Sequence, residues 1–352
     1  MNNKKLVLAL IGLALLLVLV YVVVQSQQAK KAEETAEAPV PVAHFESILI
    51  GNGSSPKWSP DGTKIAFLCA EGICVIDSSG KGEIRKIGPL KIKNYEWLSD
   101  SELVVREWEY GRIKGKQTLT TRIKKAGLDG GIETIRETHP TFEDPFPDKF
   151  SKFIVLKDGT VGYYEHPQGI TEEPVFKVIR EGRLKPVETE KQTILELMSI
   201  QTDRGEKGVW LVSADRSMKK KVTDKEYRFV QLAPDGLKFI GNDSRINIIV
   251  FDTIGREIAN LGRGEILSEG PLGNWSPDSK KITYHISKAG GEDGQFTVAS
   301  ELYMVNTDGS DKTQITDTPD EIEFDPVWSP DGSKIAYWTG DPKWEVFIMR
   351  LK

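Results

Sequence analysis

The chain has 352 residues, with 47 basic against 52 acidic side chains and a net charge of −5. Hydrophobic residues make up 39% and charged residues 28%, which excludes a polytopic membrane protein and a largely disordered chain. No basic excess points to nucleic acid, and two cysteines exclude both a disulfide-dense scaffold and a four-cysteine zinc site.

The first predicted element is a membrane helix. Residues 6–24 read LVLALIGLALLLVLVYVVV, without a charge. At about 1.5 Å per residue the run spans a bilayer core. It is longer than the apolar region of a cleavable signal, and the A-x-A at Ala36 and Ala38 lies well beyond it. An uncleaved signal anchor is therefore expected, with a cleaved signal as the alternative. Lys4 and Lys5 balance Lys30 and Lys31, so the positive-inside rule is nearly silent. The short leading tail with a large body behind it places the body outside the cytoplasm. The expected domains are an anchor at 1–25, a solvated tether at 26–43 and a folded body at 44–352.

The body repeats. WSPDGTKIAF at 58–67 recurs as WSPDGSKIAY at 328–337 and as WSPDSKKITY at 275–284. Weaker copies are LAPDG at 232–236, WLSDSELVV at 97–105 and KDGTVGY at 157–163. The anchoring aspartates are Asp61, Asp100, Asp158, Asp235, Asp278 and Asp331, with gaps of 39, 58, 77, 43 and 53. The gap of 77 predicts one degenerate copy near 190–200. Ser-Pro-Asp-Gly fits a type I turn, with Ser at the first position, Pro fixing φ at the second and Gly at the fourth. The alternating segment after it is a half-buried strand, and the Trp before it faces the core between units.

Each copy is followed by another alternating strand and a short polar turn. The strands are expected at 73–77, 119–124, 175–179, 209–213, 246–251, 301–305 and 345–349. Four short antiparallel strands per unit make the blade of a β-propeller. The body of about 308 residues divides into seven units of about 44 or six of about 51. The predicted fold is thus all-β, a seven-bladed propeller behind a transmembrane helix, with six blades as the alternative. The last unit lacks a fourth strand, and HFESILI at 44–50 has no unit of its own. Pairing of 44–50 with 345–351 would close the ring and cover an open edge.

The WSPDG-x-K-I-A-F motif resembles the repeat of the TolB-like propellers over about residues 45–352. TolB itself carries an N-terminal α/β domain before its propeller, whereas an anchor and tether are expected here. Related propellers are fused to serine peptidases, but no G-x-S-x-G nucleophile elbow occurs in this chain.

Other chemistry is sparse. No P-loop, H-E-x-x-H or dinucleotide fingerprint is present. His44, His139, His166 and His285 lack metal-ligand spacing, though His139 and His166 fall in loops that could meet. NTDGSD at 306–311 reads as a turn between strands, because an EF-hand needs a distal Glu and flanking helices. No catalytic residue, cofactor or metal ligand is assigned. Cys69 and Cys74 flank a hairpin where a disulfide can form outside the cytoplasm, two packed thiols being the alternative. The variable loops gather at the end away from the Ser-Pro-Asp-Gly turns. The richest is 106–117, where Arg106, Trp108, Tyr110 and Arg112 supply residue types that dominate binding hot spots. The alternative is that Trp108 and Tyr110 belong to an extended hairpin packed on a neighbouring unit. The expected role is a scaffold for a protein or envelope component. The alternatives are a lyase or hydrolase acting on sugar or peptide material at the channel mouth, and a purely structural envelope component.

Overall fold

The computed structural model describes residues 40–88, 91–113, 115–138, 153–155, 161–165, 175–180, 183–186, 195–201, 207–213, 219–266, 274–290 and 296–351. The predicted anchor at 6–24, His139 and His166 lie outside these residues. Among the described residues no helix is long and apolar enough to cross a membrane. The folded unit runs from Val42 to Lys352.

All regular structure described is strand. After β1 (Glu46–Asn52), the first sheet contains β2 (Ser54–Trp58), β3 (Lys64–Cys69), β4 (Gly72–Asp77) and β5 (Arg85–Ile87). The second contains β6 (Ile92–Ser99), β7 (Glu102–Ile113), β8 (Lys116–Gly127) and β9 (Ile132–Thr138). The third has β10 (Ile154–Val155), β11 (Val161–Glu165), β12 (Val175–Arg180) and β13 (Arg183–Pro186). The fourth, in the long gap between motifs, has β14 (Leu195–Gln201), β15 (Lys207–Ser213) and β16 (Lys219–Thr223). The fifth has β17 (Arg228–Leu232), β18 (Lys238–Asn242), β19 (Asn247–Asp252) and β20 (Glu257–Arg263). The sixth has β21 (Lys281–Gly290), β22 (Phe296–Asn306) and β23 (Thr313–Gln314), and the seventh β24 (Glu323–Trp328), β25 (Lys334–Thr339) and β26 (Glu345–Arg350).

Among the described residues successive sheets pack on one another at six joints, and both faces there are apolar because side chains alternate along each strand. In the first sheet, Ala66, Ile73 and Val75 face Tyr95, Trp97 and Leu103 of the second. Ile65, Phe67 and Ile76 face the other way, onto Val327, Ala336 and Ile348 of the seventh. Similar cores join the second sheet to the third, the fourth to the fifth, the fifth to the sixth and the sixth to the seventh. A series of antiparallel sheets whose last member packs on its first is a β-propeller.

The repeat tryptophans supply the joints. Trp58 donates its indole N–H to the Val327 carbonyl at 3.1 Å, and Trp97 donates to the Lys57 carbonyl at 3.0 Å, each reaching the inner strand of the preceding sheet. The residue before the motif adds polar links: a buried Lys57–Glu96 ion pair at 2.8 Å and a Gln231–Asn274 amide pair. Three residues before Trp58, Leu232 and Trp328 the chain bulges, with Ser55, Phe229 and Asp325 at φ 53°, 51° and 48°. Such bulges bend and twist a strand locally.

Closure uses the N-terminal strand. β1 pairs antiparallel with β26, from Glu46 opposite Arg350 to Asn52 opposite Glu345, so the strand lies two residues later than 44–50. Just before it, Ala43 N–H donates to the Gln314 carbonyl of the sixth sheet. Just after it, Gly53 N–H donates to the Trp344 carbonyl. A Cβ on Gly53 would stand 2.1 Å from the Leu68 carbonyl oxygen, so only glycine fits this passage into the first sheet. Residues 42–53 thus lace the sixth, seventh and first sheets together.

Candidate functional site

Antiparallel topology gives each sheet two ends, and they differ. One carries the Ser-Pro-Asp-Gly turns. There the Ser59, Ser276 and Ser329 hydroxyls donate to Asp61, Asp278 and Asp331 at 2.6–2.7 Å. The fourth residue closes each turn with its N–H on the serine carbonyl, at φ 70° for Gly62 and 71° for Gly332. Adjacent turns also touch: Asp61 N–H donates to Asp100, and Asp235 N–H to Ser279 Oγ. Burial works against the Asp61 charge, but the Ser59 and Thr63 hydrogen bonds lower its pKa to about 2. Led by the Ser329 hydroxyl, the same kind of contacts lower Asp331 to about 2. The polar groups of these turns are occupied by one another.

The opposite end is irregular. Residues 106–117 take the extended-hairpin alternative and not the loop. They are mostly strand, because β7 and β8 pair without interruption from Glu102–Gly127 to Ile113–Lys116. Pairing with β6 ends at Glu107 and with β9 at Thr121, so five further pairs form a two-stranded ribbon among the described residues. The four predicted residues separate along it. Arg106 is buried within the sheet at 4% exposure, Trp108 is half-buried, and Tyr110 and Arg112 are exposed. The Trp108 and Tyr110 rings lie 5.9 Å apart. Glu107 pairs with Lys124 at 2.6 Å, and Glu109 with Lys91 and Arg122 at 3.0 and 3.2 Å, a charge ladder across the ribbon base. In the sixth sheet β21 and β22 likewise run long, to Gly290 and from Phe296. Cys69 and Cys74 lie diagonally across the β3–β4 hairpin, with Cα atoms 5.9 Å apart and their sulfurs bonded.

Between the sixth and seventh sheets, residues 301–302 and Glu323 meet at Thr316. Its Oγ1 accepts from Leu302 N–H at 2.8 Å and lies 2.9 Å from Glu301 Oε2 and 2.5 Å from Glu323 Oε2. A hydroxyl has one proton and two lone pairs. With one lone pair taken by Leu302 and the proton given to one carboxylate, the other carboxyl group must itself donate. One glutamate is therefore protonated. Burial assigns the proton to Glu323, 1% exposed, and raises its pKa to about 8. Glu301 is also raised by burial, but keeps Thr318 N–H as a donor at 2.8 Å. Ser300 Oγ links the sheets nearby, accepting from Glu323 N–H and donating to its carbonyl. His285, also 1% exposed, has Nε2 3.5 Å from Glu265 and meets Phe324 edge-on at 5.7 Å. Glu265 is lowered chiefly by His285.

Nothing in the sequence pattern singles out Glu301, Thr316, Glu323 or Glu265. Among 52 acidic residues no spacing marks the pair that shares a hydroxyl. No group of three or more potential metal ligands occurs among the described residues.

No family model matches the chain. A stretch of 123 residues is 31% identical to an uncharacterized peptidase, YuxL, of Bacillus subtilis, covering 32% of this chain and 16% of that protein. A 66-residue stretch is 39% identical to dipeptidyl-peptidase 5 of Porphyromonas gingivalis, covering 19% and 9%. The chain thus spans less than a fifth of the length of these curated relatives. Among solved structures, tricorn protease aligns over 82% of this chain and 28% of its own, at 17% identity and TM-score 0.37. The Cps50 (Swd1) β-propeller domain of Myceliophteria thermophila aligns over 89% and 100%, at 13% identity and TM-score 0.48. At these TM-scores the propeller fold rests on the sheet order described above.

Proposed function

We propose that the chain is a seven-bladed, TolB-like propeller, held to a membrane by residues 6–24, with its body outside the cytoplasm. In this reading it binds a protein or envelope component. One observation carries the binding role: the β7–β8 ribbon projects past its sheet with the Trp108–Tyr110 ring pair on it and Tyr110 64% exposed. Aromatic and arginine side chains on a rigid ribbon are what a hot spot needs. The Cys69–Cys74 bond suits an oxidising compartment.

A photo-crosslinking residue at Tyr110 should give one discrete adduct in intact membranes. Trp108→Ala with Arg112→Ala should remove that adduct while leaving Tm within a few degrees. An adduct indifferent to the double variant would refute the ribbon as the binding edge. Retention in the membrane fraction after a high-pH carbonate wash tests the anchor, and protease access from outside tests the orientation.

The enzymatic alternative draws on partial matches to two peptidases, over at most 16% of their length. Glu323 holds a proton, yet at 1% exposure it is closed off from solvent, and we assign it a structural role.

A further inference from the structure

Two segments meet at the irregular end of the seventh sheet: residues 317–322, leading into β24, and residues 340–344, joining β25 to β26. Gly340 N–H donates to the Ile322 carbonyl at 2.8 Å, and Lys343 Nζ pairs with Glu321 at 2.5 Å. The segments frame a run of aromatic rings. Phe324 and Trp338 lie 4.9 Å apart, and Trp344 stacks on Trp338 at 5.4 Å with planes 21° apart. Of the eight tryptophans in the chain, Trp344 alone is exposed, at 48%. Its backbone sits at φ 50°, a left-handed conformation uncommon for a bulky residue, and its carbonyl is held by Gly53 N–H at 2.7 Å. Such outliers gather at ligand clamps.

The bordering segments are predominantly acidic. Residues 317–325 and 340–345 carry Asp317, Asp320, Glu321, Asp325, Asp341 and Glu345 beside the buried Glu323, against Lys343 alone. A carboxylate borders the indoles directly, since Trp338 Nε1–H donates to Asp325 Oδ2 at 3.1 Å. The field is felt locally: Lys343 is raised by Glu321 and then Glu345, and Glu301 is raised by burial and then by Asp317 and Glu321.

We propose that the Trp338–Trp344 stack and its acidic rim dock a cationic side chain, arginine above lysine, of a polypeptide partner. An indole face attracts a cation, and a planar guanidinium stacks on it while its N–H groups meet carboxylates. A neutral sugar would also stack on indole, but would have no use for a predominantly acidic rim. The site lies at the same end of the ring as the ribbon and stands without it.

The full chain is titrated with acetyl-Gly-Arg-Gly-Arg-Gly-amide, following indole fluorescence, and with the same peptide carrying citrulline in place of arginine. The arginine peptide should saturate, weaken with added salt and bind at least ten-fold more tightly than the citrulline peptide. Trp344→Ala should abolish the signal, and Asp341→Asn with Glu345→Gln should weaken it several-fold. The charge pair leaves the aromatic stack in place, so it carries the test even where Trp344→Ala perturbs folding. Trp108→Ala with Arg112→Ala should leave the titration unchanged, which separates this site from the ribbon. Equal binding of the two peptides, an absent response, or a response surviving both Trp344→Ala and the charge pair overturns the proposal. Saturation by an N-acetylglucosamine oligosaccharide in place of the arginine peptide also overturns it.

Discussion

The turn end and the irregular end of the sheets solve different problems. At the turn end each Ser-Pro-Asp-Gly segment satisfies its own polar groups largely within five residues, and where it reaches across sheets, as Asp61 N–H does to Asp100, its partner is another copy of the turn. At the other end polar groups are satisfied across sheets, by segments as far apart in sequence as Ser300 and Glu323. A local solution repeats in sequence, whereas a long-range one does not have to. Freedom from repetition is also what lets one end vary in hairpin length, charge and aromatic content without loosening the ring.

Both ends depend on closure, so the largest expected effect comes from removing it. Deleting residues 42–53 strips β1 from β26 and the links to Gln314 and Trp344. It also removes Ile50 from the core, together with half-buried Ile48 and Phe45, at about 1.5–3 kcal/mol for each side chain fully buried. With typical domain stability of about 5–15 kcal/mol, the cooperative unfolding transition should be lost or the chain should aggregate. Deletion of residues 1–39 should leave Tm unchanged. If both deletions melt alike in a thermal scan, residues 42–53 do not hold the ring.

Acid and alkali should separate the two ends. Asp61 and Asp331 are lowered to about 2, so the stability they lend is present above the unfolded value near 3.8 and is lost as pH falls towards 2. Glu323 is raised to about 8, so its contribution is full below the unfolded value near 4.5 and is lost as pH rises through 8. Glu323→Gln mimics the protonated form. The variant should match the parent near pH 4.5 and exceed it at pH 9 by a few kcal/mol, at about 1.4 kcal/mol per unit of pKa separation. Denaturant midpoints from pH 4.5 to 9 measure this. An alkaline decline undiminished in the variant would move the shared proton to Glu301.

The same contrast explains what was legible beforehand. Ser59, Asp61 and Gly62 announce their turn because each is chosen by a bond within that turn. The strand after each turn was readable from alternation, and the pairing of the N-terminal strand with 345–351 followed from counting strands. Residues 106–117 left loop and hairpin both open because charged side chains facing one another across a ribbon, Glu109 and Arg122 among them, read as loop composition when only one strand is considered. Glu323 was invisible for a related reason. Its burial is produced by Glu301 and Thr316 arriving from another sheet, and nothing beside it in the chain encodes their arrival.

The smallest effect tests the turn end at a copy that lacks the glycine. Ser279 occupies the place of Gly62 and Gly332, at φ 59°, where a residue with a Cβ carries a cost of about 1 kcal/mol that glycine does not. Its hydroxyl accepts Asp235 N–H from the adjacent turn at 3.0 Å, a contribution of about 0.5–1.5 kcal/mol. The two terms oppose each other. Ser279→Gly should therefore change stability by less than about 0.5 kcal/mol, because relief of the backbone offsets the lost bond. Ser279→Ala loses the bond and keeps the Cβ, so it should destabilise by about 1 kcal/mol. Urea titration of the pair resolves the difference. Were the glycine variant as unstable as the alanine variant, the left-handed position would carry no cost. Glycine at Gly62, Gly236 and Gly332 would then need an explanation other than backbone strain.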